Sequence, residues 1–323
     1  MPARALATWR SRRTSMRIVF MGTPEFAVPS LKAVAAAYDV ALVVTRPDAV
    51  RSRGKKLEPS PVKACALDLG LPVLEAKRMD AEAIDAVRAA APDLICVVAF
   101  GCILPDELLA VASLGAINVH GSLLPRWRGA APIQRAILAG DEKTGVSIMR
   151  VAHDLDAGAW CRQVSTPIGT KTASQLFDEL AQAGAPELVA AAAQIADGTV
   201  TWHEQDPAQV TIAEKVKKDE MRLDPADTCE ANALRVQAST DAAPARCQVA
   251  DKGMRVVRAA AVDANVPQVA AGAVALGHGR VLLGCANGAL ELLRVKPDGK
   301  REMDASAWTQ GLHGGNGVTW ERA

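Results

Sequence analysis

No Cys-x-x-Cys pair occurs anywhere in the chain, and its seven cysteines are scattered and odd in number. That spacing argues against a zinc site and a disulfide framework; it suits a reducing cytoplasm in which each cysteine is a small buried apolar residue. Charge of one sign is missing too. With 37 lysines and arginines against 36 acids, the whole-chain field offers nucleic acid no attraction, and any such contact needs a local basic patch. No apolar run reaches membrane-spanning length, since Asp93 opens the most hydrophobic one and the region of Gly101 closes it. Neither G-x-G-x-x-G nor a Walker lysine is present, which argues against NAD or a nucleoside triphosphate as cofactor. Internal repeats and low-complexity tracts are lacking, beyond an alanine bias.

What is present is an ordinary globular composition, 50% apolar and 23% charged over 323 residues. That length exceeds what most single cores support, so two domains are expected. Residues 1–15 carry Arg4, Arg10, Arg12 and Arg13 with no long apolar core, so they do not read as a secretory signal. They read as a disordered or mis-called extension ahead of Met16.

From Arg17 short apolar runs alternate with longer alanine-rich periodic segments, the pattern of an α/β fold whose mostly parallel sheet is covered by helices on both faces. Strands are expected at Arg17 to Met21, Val40 to Thr45, Leu94 to Ala99, Ala116 to His120 and Gly145 to Val151. Ala81, Ile84, Val87 and Arg88 fit one covering helix, and Ser174 to Ile195 a long one ending at Gly198. Beyond Trp202 the character changes. Glu214 to Arg222 reads as a charged link and Asp224 to Val236 as a helix. Short β runs follow at Met254 to Val257, Ala273 to Leu276, Arg280 to Gly284 and Ala289 to Val295, with glycine-bearing turns between them, as in a small antiparallel barrel. Such barrels often bind nucleic acid, although on these residues alone this one reads equally as a domain that packs on the first.

Polar residues that end a buried strand are candidates for function in open parallel sheets. Asn118 and His120, two positions apart, share one face of the strand that ends at His120. A carboxamide donates to a developing oxyanion without changing charge, and an imidazole handles protons near neutral pH, so the pair suits acyl transfer. His120 also reads as a histidine satisfied by backbone at a strand end. Asp156, in the turn-like stretch HDLDAGAW, could fix the imidazole tautomer and accept an amine proton; alone it reads as a solvated loop acid. The segment RPDAVRSRGKKLEPSPVK sets Arg51, Arg53, Lys55 and Lys56 around Gly54 in a loop, which suits phosphate contact or plain solvation.

The stretches INVHGSLLPRWRGAAPIQRAI, GTPEFAVPSL and RGKKLEPSPVK resemble the methionyl-tRNA formyltransferase family, one of the families that use 10-formyltetrahydrofolate. The resemblance runs from Arg17 to about Gly198 and continues more weakly through EKVKKDE into the C-terminal β region. It implies a formyltransferase-like Rossmann variant over 16–205, a linker over 206–222 and an OB-like tRNA-binding domain over 223–323. By the same resemblance Asn118, His120 and Asp156 are catalytic, and Ser122, Leu123, Leu124 and Pro125 form the folate-contacting turn. Arg51, Arg53, Lys55 and Lys56 then reach the acceptor end of initiator methionyl-tRNA.

The implied reaction is attack of the methionyl α-amine on the formyl carbon, with Asn118 and a protonated His120 steadying the oxyanion and Asp156 relaying protons. The expected enzyme is a cytoplasmic monomer of protein biosynthesis with no metal and no membrane contact. The rival expectation is a folate-dependent formyltransferase acting on an amino sugar nucleotide or another small amine.

Overall fold

The computed structural model describes residues 16–50, 57–262, 269–277, 279–310 and 317–323. Seven strands build the N-terminal sheet: β1 (Arg17–Gly22), β2 (Asp39–Thr45), β3 (Val73–Glu75), β4 (Leu94–Val98), β5 (Ala116–His120), β6 (Lys143–Arg150) and β7 (Trp160–Pro167). Their order across the sheet is β7-β6-β5-β4-β1-β2-β3. The stretch from β3 to β5 is parallel throughout, and β6 joins β5 antiparallel. The expected mostly parallel α/β sheet is therefore present. Its strand order turns back between β1 and β4, and the crevice beyond the strand ends at such a point is where these sheets hold ligands.

The central strands are uniformly apolar because both faces are covered. Ile18 to Met21 of β1 and Leu94 to Val98 of β4 are all buried. On one face Val19, Met21, Ile95 and Val97 pack with Ile84 and Val87 of the helix Ala81–Ala89. Each such aliphatic side chain contributes about 1.5 to 3 kcal/mol when fully buried. That helix is where the sequence pattern expects it, but its buried stripe is Ala83, Ile84 and Val87, with Ala81 and Arg88 exposed. Asp80 caps its N-terminus by accepting from the Ala83 amide, which holds the Asp80 carboxyl below its usual range. The long helix Ala173–Ala196 runs almost as expected and is followed by Gly198 in the left-handed region at φ 69°.

The chain divides into two compact units, one of Met1–Gly129, Thr144–Thr166 and Phe177–Ile212, the other of Ala130–Lys143, Pro167–Leu176 and Ala213–Ala323. The second holds an antiparallel sheet of β8 (Arg246–Val249), β9 (Lys252–Val262), β10 (Val274–Gly277), β11 (Arg280–Gly284), β12 (Ala289–Pro297), β13 (Met303–Asp304) and β14 (Trp320–Arg322). The strands run β10-β11-β12-β9-β8-β14, with β13 on β12. A bridge between Ala273 and Thr319, flanked by the Trp320 amide on the Gly272 carbonyl at 2.8 Å, joins the two edges and curls the sheet into the expected OB-like barrel. Strand β9 outruns its expected end at Val257 because register shifts around Arg258 let it bend with the barrel. The helix expected from Asp224 starts at Cys229 instead, where Thr228 accepts from the Ala231 amide as its cap. Among the described residues no helix is long and apolar enough to cross a membrane.

Candidate active site

Strand β5 carries the two polar residues that its apolar sequence makes conspicuous. Asn118 sits in register between Val97 of β4 and Met149 of β6, half-buried, and its carboxamide makes no hydrogen bond to another described residue. His120, opposite Ser147, is only 5% exposed. Its Nε2 donates to the Trp127 carbonyl at 2.8 Å, since a carbonyl can only accept. Its Nδ1 lies 3.5 Å from Oδ2 of Asp156, and that carboxylate accepts the Gly129 amide at 2.9 Å. The structure thus brings His120 and Asp156 together, with Asn118 one pleat away on the same strand.

Asp156 reaches this place through an unusual loop between β6 and β7. It adopts φ 49°, a conformation few non-glycine residues take, and the surrounding contacts must hold it there. Gly158 packs so closely on the carbonyl of Arg150 that a Cβ would collide with it. Gln205 completes the support. Its Nε2 donates to the carbonyls of Asp156 at 2.8 Å and Gly158 at 2.7 Å, and its Oε1 accepts from Nε of Arg128 at 2.8 Å.

The turn Ser122 to Pro125 is built on β6 and β7. Ser147 of β6 donates to the Ser122 carbonyl at 2.6 Å and accepts the Leu124 amide at 3.0 Å, while Gln163 of β7 donates to the Leu124 carbonyl at 2.9 Å. The Ser122 hydroxyl is spent on the carbonyl of Arg126 at 2.6 Å, and Leu124 is buried. Half-buried Leu123 and Pro125 are the accessible apolar members. Gly145 of β6 fits under this turn because a side chain there would strike Leu123 and the Val164 carbonyl.

Arg51, Arg53, Lys55 and Lys56 lie outside the described residues. The strands Ala49–Val50 and Leu57–Glu58 on either side of them pair antiparallel. Nearby, Lys63 binds both Asp48 and Glu75, hydrogen bonds that raise its amine above the ordinary lysine value.

Of the residues that shape the site, Trp127, Arg128, Gly129 and Gln205 escape sequence reasoning. The first three act chiefly through main-chain atoms or a tether, and Gln205 is a lone amide in a polar stretch with no motif around it.

The formyl transferase family matches residues 16–192, and the formyl transferase C-terminal domain family matches residues 215–313. The curated methionyl-tRNA formyltransferase of Halorhodospira halophila is 45% identical over 298 residues, 91% of this chain and 96% of that protein. The chain belongs to the methionyl-tRNA formyltransferase family. A further member, from Methylococcus capsulatus, is 43% identical over 293 residues, 90% of this chain and 95% of that protein. Among solved structures the fold is shared with WlaRD, a sugar 3N-formyl transferase crystallised with dTDP and 5-N-formyl-THF. That match has a TM-score of 0.63 at 14% identity and covers 88% of this chain and 99% of that one. Within the formyltransferase family layout, Asn118, His120 and Asp156 fall in the first matched segment, and Gln205 falls between the two.

Proposed function

We propose that this member of the family transfers a formyl group from 10-formyltetrahydrofolate to the α-amine of initiator methionyl-tRNA, giving N-formylmethionyl-tRNA for translation initiation in the cytoplasm. The observation that carries the reading is the His120–Asp156 contact at the end of β5, in a chain similar over nine-tenths of its length to methionyl-tRNA formyltransferases.

The amine attacks the formyl carbon, and a negative charge develops on the formyl oxygen as the C–N bond forms. The carboxamide of Asn118, which has no hydrogen-bond partner among the described residues, donates to that oxygen. The Nε2–H of His120 is committed to the Trp127 carbonyl, so in the protonated ring that the reaction uses Nδ1–H is the second donor, beside the Asp156 carboxylate. Asp156 accepts the amine proton. Collapse of the tetrahedral species breaks the bond to folate N10, which takes up that proton and leaves as tetrahydrofolate. The turn at Ser122, Leu123, Leu124 and Pro125 contacts the folate. Arg51, Arg53, Lys55 and Lys56 meet the acceptor arm with help from the C-terminal barrel; the proposed organisation is a catalytic domain over 16–205, a linker over 206–222 and a tRNA-binding domain over 223–323.

The test is to incubate the purified protein with labelled formyl-folate and charged initiator tRNA, free methionine or an amino sugar nucleotide. Label is expected on methionyl-tRNA alone; formylation of the sugar nucleotide in its place would overturn the reading.

A further inference from the structure

We infer that Gln205 is a positioning residue for formyl transfer, holding Asp156 at the distance from His120 that the reaction uses. The inference rests on the proposed role of Asp156.

Gln205 is a buried polar side chain, 8% exposed, in a segment that neither matched family region covers. Both hydrogens of its carboxamide are spent on the loop that carries Asp156, one on the carbonyl of Asp156 itself and one on that of Gly158. Its oxygen is spent on Arg128, in the segment that supplies the Trp127 carbonyl to His120 and the Gly129 amide to Asp156. One side chain therefore ties the Asp156 loop to the segment that holds His120 through the Trp127 carbonyl and Asp156 through the Gly129 amide. Its three bonds span 47 to 77 residues of sequence, so they cannot be a by-product of local turn formation. The left-handed backbone of Asp156 needs just such external support, and a carboxamide is the one neutral side-chain group that donates twice and accepts at the same time.

Gln205→Met keeps the length and removes every hydrogen bond. Gln205→Glu keeps an acceptor toward Arg128 and sets a carboxylate against two carbonyls. Both variants are assayed in single turnover for rate and for the KM of each substrate, and melted by circular dichroism. Gln205→Met is also made in an Asp156→Ala background. In the otherwise native enzyme each is expected to fold and to lower the rate on the order of 10-fold to 100-fold, since a displacement of about 1 Å costs that much, with both KM values little changed. In the Asp156→Ala background the same change is expected to cost at most about twofold, because residues that act as a unit are not additive. An unimpaired Gln205→Met enzyme overturns the inference, as does a loss repeated in full without Asp156, or failure of both variants to fold, which would make Gln205 a structural residue. If Asp156→Ala by itself retains full rate, what fails is the catalytic reading beneath the inference.

Discussion

Oδ2 of Asp156 is shared between two groups, the Gly129 amide at 2.9 Å and Nδ1 of His120 at 3.5 Å. The amide bond anchors the carboxylate, and the longer contact leaves it available to a proton arriving from the substrate. Asp156→Asn preserves the acceptor for Gly129 and deletes the proposed base. Its turnover is expected to fall about 100-fold to 10,000-fold, the usual worth of a positioned acid or base, with an almost unchanged melting temperature. Steady-state kinetics beside a thermal melt check both halves.

Asn118 offers a carboxamide with no partner among the described residues, which is what a group reserved for a transient oxygen anion requires. Removing one such donor slows acyl transfer about 100-fold to 1,000-fold, so Asn118→Ala is expected to lose turnover on that scale. Undiminished turnover would remove Asn118 from the mechanism.

With the chain nearly neutral overall, RNA attraction has to be local, and 51–56 is the richest local source of positive charge. Replacing Arg53, Lys55 and Lys56 by alanine is expected to raise the KM for methionyl-tRNA and flatten its dependence on salt, leaving the KM for formyl-folate as it was. Kinetics at several ionic strengths, with kinetics on charged tRNA left untouched as the contrary result, decide the matter.

In the barrel, Arg280 clamps Glu291 through two hydrogen bonds of 2.8 and 2.7 Å, and the guanidinium holds that carboxyl below the ordinary glutamate range. A depressed carboxylate stabilises the fold above the pKa of the unfolded chain, about 4.3, and loses that contribution as pH falls through the folded value. Arg280→Met is therefore expected to lower the urea midpoint modestly at pH 7, because the arginine is partly exposed, and to have almost no effect at an acid pH where Glu291 is protonated in both states. Urea titrations at the two pH values measure the difference; an equal loss at both would show that packing of the arginine stem, and not charge, matters.

Much of the architecture is legible in the sequence because burial on both faces leaves a plain mark. Ala116 to His120 reads as a strand to the residue, and Arg280 to Gly284 likewise. Edge strands lack the mark: β7 is half-buried from Trp160 to Val164 with exposed Ser165 and Pro167 at its end, and it carries Arg162 and Gln163, so nothing in its composition separates it from a loop. The pairing of Asn118 with His120 follows from the two-residue period of a strand. The approach of Asp156, by contrast, depends on a left-handed backbone and on Gln205, 49 residues away along the chain, and no local pattern encodes either.

His120 and Asp156 are both held by the main chain of one short segment, through the carbonyl of Trp127 and the amide of Gly129. Every amino acid carries a carbonyl and all but proline an amide, so an alanine scan through that segment would be blind to these bonds, and only an ester replacement in the backbone would expose them. The geometry of the His120–Asp156 pair is thus set by the course of that backbone, with Arg128 the side chain in it that Gln205 also holds.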